Sequence, residues 1–276
     1  MRKKELLFKV ENENTLSEEL KLNLSRRFYR HLKTIEANIY VNDELRKNFE
    51  KVYPGDIIRI QYEEFEKECN WPTVDSLPKI VFENEHYLIV NKEPNILTIP
   101  TMGNPYSLYQ QLVTYLNSTS IHILNRLDKE TSGLVVVAKD RYAASLLEPT
   151  HEHMVRKYKC LVEGIVDHNG RIENYILKSE DSNKRYVSVE KKGQIAISNF
   201  NVLKKYKDTT LLEFILETGR THQIRVHTSN MGHPIIGDKM YGNKDDSSNL
   251  HLTSYYVEFI DPFTGEKISK SIDENW

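Results

Sequence analysis

Two cysteines in 276 residues, Cys69 and Cys160, are too few for a disulfide-stapled fold or a cysteine-built zinc site, and they suit a reducing compartment. No stretch approaches the roughly twenty apolar residues that a bilayer-spanning helix requires. The expectation is therefore a cytoplasmic protein without a membrane partner. A phosphate-cradling glycine loop is also missing, because Gly219-Arg220-Thr221 is no Walker sequence. No repeat of fixed period is visible, which excludes solenoid and propeller architectures. The ten histidines include His151 with His153 and His222 with His227, but neither pair has helical i, i+4 spacing or a third ligand at a familiar offset. The expected metal is none.

An excess of basic charge is lacking as well. Lys and Arg total 38 against 40 Asp and Glu, a net charge of −2, where a nucleic-acid partner normally meets a positive surface. The distribution softens this. Residues 1–62 carry thirteen basic against ten acidic side chains, and residues 200–244 carry seven against four. Charge permits such a partner without arguing for one.

What is present is concentrated in a few stretches. His122-Ile-Leu-Asn125-Arg126-Leu-Asp128-Lys-Glu-Thr131-Ser132-Gly133 sets one carboxylate, Asp128, in a polar loop that ends at a buried-looking strand, Leu134 to Ala138. A carboxylate on the lip of a core strand is rigidly held yet reachable, which suits a nucleophile or a general base. About ninety residues later come Leu216-Glu-Thr-Gly219-Arg220-Thr221-His222-Gln223-Ile-Arg225-Val-His227 and Gly237-Asp238-x-x-Tyr241-Gly242. Leu211 to Leu216 predicts a strand, Gly219 a turn, and Thr221 the N-cap of a short helix carrying Gln223, Arg225 and Ser229. That helix could present Arg225 to a buried acid. Between the two lies Arg156-Lys157-Tyr158-Lys159-Cys160-Leu-Val-Glu-Gly164, where a tyrosine near the start of a strand offers a flat face to a base.

Together these stretches resemble the three motifs of the RluA family of pseudouridine synthases, the first being His-Arg-Leu-Asp-x-x-Thr-Ser-Gly-Leu. The resemblance spans residues 78–262 and departs at Asn125, where that family usually has His. It implies an RNA isomerase that breaks the N1–C1′ bond of uridine, turns the uracil and rejoins it through C5. It further implies that Asp128 is the catalytic carboxylate, as nucleophile or base. Tyr158 would stack on the uracil, and Arg225 would hold Asp128 ionised and oriented. Arg126, with Asn125 beside it, would fill the gap in the RNA left by the flipped nucleotide. The reaction is redox-neutral and requires no cofactor. The RNA partner would be ribosomal, from the large subunit, or transfer RNA, met by a monomer.

The remaining chain divides in the same spirit. Residues 1–62 resemble an S4-type RNA-binding module, in which the helix Ser25 to Lys33 buries Leu24, Phe28 and Leu32. Arg26, Arg27, Arg30 and Lys33 are left on its other faces for phosphates. Residues 63–78, acidic and containing Cys69-Asn-Trp71-Pro72, read as a linker, and residues 79–276 as the catalytic domain. Strands are expected at Tyr87–Val90, Leu134–Ala138, Tyr158–Val162, Arg185–Val189, Ile195–Leu203, Thr209–Leu216 and Leu250–Phe259. Helices are expected at Leu108–Leu116, Arg141–Leu147 and Thr221–Ser229. The pattern predicts an α+β fold with a mixed, mostly antiparallel sheet, preceded by a small α/β S4-like module.

Two other functions compete. A nucleoside or glycoside hydrolase would pair Asp128 with Glu130, since such enzymes use two facing carboxylates about 5 to 9 Å apart. A catalytically silent RNA-binding protein would use the amino-terminal module alone, and would have no need of Asp128, Tyr158 and Arg225 together.

Overall fold

Tyr87 to Val90 and Leu134 to Ala138 are continuous apolar runs, the signature of strands covered on both faces, and they pair antiparallel at the centre of the molecule. The computed structural model describes residues 2–64, 74–147, 154–243 and 248–274. Cys69, Trp71 and Pro72 of the expected linker, and His151 and His153, lie outside the described residues.

Among the described residues the central sheet has eleven strands. Nine follow in the order Arg185–Val187, Gly170–Lys178, Gln194–Lys205, Thr209–Leu216, Met154–Glu163, Leu252–Ile260, Ser132–Ala138, Tyr87–Lys92 and Lys79–Glu83. Strands Lys267–Ser271 and His122–Ile123 attach beside this path. All pairings are antiparallel except the short contact of Ser132–Ala138 with Leu252–Ile260. This is the mixed, mostly antiparallel α+β fold expected. Alternation sorts the side chains: Leu88, Val90, Val135 and Val137 join one core with helix Leu108–Leu116. Tyr87, Ile89, Leu134, Val136 and Ala138 join another with helix Arg141–Leu147. Gly133, at φ +115°, is where the parallel strands meet; a side chain there would collide with the backbone of Ser254.

The amino-terminal part has its own sheet, ordered Arg2–Lys9, Ile57–Glu64, Asn38–Val41, Glu44–Leu45. Asn42 and Asp43, both at positive φ, close the last hairpin, as the Val-Asn turn predicts. Helices Leu16–Asn23 and Arg26–Thr34 pack on this sheet through Leu16, Leu20, Phe28 and Leu32. The first helix, weakly marked in the sequence, starts from a capping box in which Thr15 and Glu18 bond each other's backbone N–H.

One boundary is corrected. The expected boundary after residue 62 falls inside a strand, because residues 61–64 continue the ladder with residues 2–5. The first module's core also takes in Tyr142, from helix Arg141–Leu147, which packs against Phe8 and Phe28. Lys4 also reaches Asp140 at 3.1 Å.

Candidate active site

Asp128 sits in the loop between His122–Ile123 and Ser132–Ala138, and that loop is pinned from both sides. The Thr98 hydroxyl donates to the Leu127 carbonyl at 2.7 Å and accepts from the Leu127 N–H at 3.2 Å. The Lys92 ammonium, 1% exposed, donates to the carbonyls of Glu93, Ile96 and Lys129 at 2.8, 2.8 and 3.1 Å. Burial pushes Lys92 down to about 8, against the pull of Asp128 and Glu130. Backbone on either side of Asp128 is thus fastened to buried polar groups, a preorganised support for a reactive side chain. Sequence reasoning missed both. A lysine at a strand end carries no sign that three carbonyls await it.

Asn125 is part of the same fastening. Its Oδ1 accepts from Val136 N–H at 2.7 Å and its Nδ2 donates to the Leu134 carbonyl at 3.2 Å. At 4% exposure, with both amide ends engaged, it ties the loop to the strand. Its amide is spent on backbone, while its neighbour Arg126 is exposed and has no partner among the described residues.

Arg225 arrives from helix Gln223–Asn230. The expected N-cap, Thr221, lies one residue too early. His222 occupies that position in the left-handed region, and the helix starts at Gln223. Gln223 holds the turn by accepting from Thr218 Oγ1 and Arg220 N–H, each at 2.9 Å. The guanidinium of Arg225 grips Asp238 through Nε at 2.8 Å and Nη2 at 2.9 Å. Its Nη1 faces Glu130 at 3.5 Å and Asp128 at 3.8 Å. Burial opposes the Arg225 charge, and the Asp238 carboxylate outweighs it, holding the pKa above the ordinary arginine value. The buried acid foreseen for Arg225 is Asp238, with Asp128 at the outer edge of the same group.

Tyr158 comes from strand Met154–Glu163, at a register shift opposite Leu252–Ile260. Such bulges re-aim side chains beside functional sites. Arg156, Tyr158 and Cys160 share the buried face of this strand. Burial raises the Tyr158 phenol above its usual range, so it stays neutral.

These elements enclose a cavity of about 300 Å³, where Asp128, Tyr158 and Arg225 all form part of the wall. Arg126, Arg156 and Arg220 line it too, a local basic excess that the net value of −2 does not show. Glu130 lines a neighbouring cavity and not the wall that carries Asp128. Among the described residues no group of three or more His, Cys, Asp or Glu could hold a metal ion. His227 lies in the core beside Ser198. No helix of the described residues is long and apolar enough to cross a membrane.

Arg26, Arg27, Arg30 and Lys33 are all exposed on helix Arg26–Thr34, with Ser25 as its N-cap, as expected. They belong to the amino-terminal module and not to the cavity wall.

A family model described as RNA pseudouridylate synthase matches residues 86–230. A Bacillus subtilis (strain 168) protein named uncharacterized RNA pseudouridine synthase YjbO is 32% identical over 258 residues, 90% of this chain and 90% of its own. Ribosomal large subunit pseudouridine synthase C of Buchnera aphidicola subsp. Acyrthosiphon pisum is 35% identical over 261 residues, 87% of this chain and 82% of its own. Among solved structures, human RNA pseudouridylate synthase domain containing 1 superimposes with a TM-score of 0.62 at 22% identity. It covers 74% of this chain and 86% of its own, a likeness of fold.

Proposed function

The chain belongs to the RluA-type family of RNA pseudouridine synthases and is an RNA isomerase; from that premise we propose that it modifies uridines of large-subunit ribosomal RNA, with Asp128 as the catalytic carboxylate. The ribosomal target rests on relatives named for that RNA, among them the synthases C and D of Buchnera aphidicola. Transfer RNA is the second candidate.

The observation that supports the catalytic reading is the meeting of Asp128, Tyr158 and Arg225 on one cavity, from three separate parts of the chain. The target nucleotide leaves its helix and enters this cavity. Tyr158 stacks on the uracil, Arg225 orients the Asp128 carboxylate, and Asp128 attacks the sugar or removes a proton from it. The N1–C1′ bond breaks with its electron pair on the uracil, the base turns, and the C5–C1′ bond forms as C5 loses its proton and N1 gains one. Atoms and electrons balance without an oxidant, a nucleotide or a metal, so no cofactor is needed. Arg126, exposed, lining the cavity and without a partner among the described residues, fills the place of the flipped nucleotide.

The amino-terminal module is read as an S4-like RNA clamp ending near residue 64, joined by a linker to a catalytic domain from residue 79. Arg26, Arg27, Arg30 and Lys33 meet phosphates. Action as a monomer belongs to the same reading, and a ribosomal substrate would set the work in the cytoplasm.

The test is Asp128→Asn, with pseudouridine mapped across total RNA from cells with and without the gene. The variant should fold, bind RNA and leave uridine at every position that the wild type converts. Conversion above a few per cent by the folded variant, or release of free uracil, would overturn the reading.

A further inference from the structure

His222 and Tyr241 form a pair on the cavity wall that the roles above leave unused. His222 is held at φ 58°, ψ 18°, immediately before helix Gln223–Asn230. Left-handed backbone is strained for a non-glycine residue and persists where the surroundings impose it. Its ring Nδ1 lies 2.9 Å from the Tyr241 hydroxyl. That hydroxyl accepts the Arg185 backbone N–H at 2.7 Å. Among the described residues the Tyr241 proton has one acceptor, His222 Nδ1. Tyr241 therefore fixes the tautomer: Nδ1 accepts and Nε2 carries the hydrogen. Nε2 has no partner among the described residues, on a side chain that shares the cavity with Asp128 and Tyr158.

The groups around the ring agree. Burial lowers the His222 pKa, Arg225 and Arg185 lower it further, and Asp128 and Glu130 oppose them. A neutral imidazole can donate to substrate without pairing with the Asp128 carboxylate, as an imidazolium would.

The geometry points to His222 as a catalytic residue whose Nε2–H donates to a uracil carbonyl oxygen of the flipped nucleotide, with Tyr241 as its positioning residue. This rests on the reading of the Asp128 cavity as the uridine site. When the N1–C1′ bond breaks, its electron pair spreads onto the uracil oxygens. A donor there strengthens as that charge grows, so it acts on the chemical step more than on binding.

The test uses the full chain and unmodified total RNA from cells lacking the gene. His222→Leu should slow single-turnover conversion on the order of 100- to 1000-fold with little change in KM. His222→Gln, whose amide N–H can take the place of Nε2–H, should recover most of the rate. Nitrogen NMR should show the Nε2–H tautomer in the wild type and a mixture in Tyr241→Phe, which should also be slower. A Leu variant at wild-type rate, a Gln variant no better than Leu, or an Nδ1–H tautomer in the wild type overturns the proposal. Asp128→Asn run in parallel separates the two readings: if it is inactive while His222→Leu is fully active, only this inference fails, whereas an active Asp128→Asn removes the cavity assignment itself.

Discussion

Arg225 spends two nitrogens on Asp238, at 2.8 and 2.9 Å, and offers Asp128 only the third, at 3.8 Å. Both partners of the tight pair are almost wholly buried, with side-chain exposures of 4% and 0%. Bidentate geometry fixes the plane of the guanidinium, so Asp238 decides where the edge facing Asp128 lies. Asp238 itself is braced by the backbone N–H groups of Met240 and Tyr241 at 3.0 and 3.1 Å.

Asp238→Asn should therefore act at a distance. Removing one partner of a buried pair leaves the other charge uncompensated, at about 3–5 kcal/mol. Chemical denaturation should show a loss of that size, and kcat should drop more than KM because Arg225 loses its aim. Stability within about 1 kcal/mol of the wild type would show that Arg225 finds another partner at no cost.

Asn125→Ala separates fastening from RNA contact. It strands the Val136 N–H, at about 1–3 kcal/mol, while the Leu134 carbonyl keeps the Ser254 hydroxyl at 3.3 Å. It should lower stability and kcat while leaving the RNA dissociation constant near the wild-type value. Weaker RNA binding at unchanged stability would restore Asn125 to the interface.

His227 sets an acid limit on the fold. It is fully buried and hydrogen-bonded to Ser198, and burial pushes its pKa down to about 4 from 6.5. Between those values the unfolded chain binds the proton and the folded one does not, so stability falls as pH drops from 6.5 towards 4. The loss should approach about 3 kcal/mol, with His31 and His222, both lowered by burial, acting in the same direction. Unfolding curves at pH 7, 6 and 5 should show the decline, and His227→Gln should flatten it. An unchanged slope in that variant would assign the decline to other groups.

The amino-terminal helix is testable without cutting the chain. Removing the module would bare Tyr142, which packs against Phe8 and Phe28. Arg26→Ala with Arg30→Ala alters exposed positions and leaves that contact intact. Each lost phosphate contact should flatten the salt dependence by about one unit of log affinity per log salt. The double variant should show a raised KM, a shallower salt slope and an unchanged single-turnover rate at saturating RNA. Identical slopes would mean that this helix does not touch RNA.

Local and periodic features were legible in the sequence alone. Helices Leu108–Leu116 and Arg141–Leu147 and strand Thr209–Leu216 lie where apolar spacing puts them. The long motifs marked the stretches that carry Asp128, Tyr158 and Arg225. What tertiary structure decided was pairing. Nothing in the order of residues says that Arg225 turns its fork to Asp238, that Lys92 caps the Lys129 carbonyl, or that Asn125 faces inward while Arg126 faces out. Those choices depend on which buried polar group is left needing a partner once the sheet has closed, a balance of desolvation and hydrogen bonding that exists only in the folded chain.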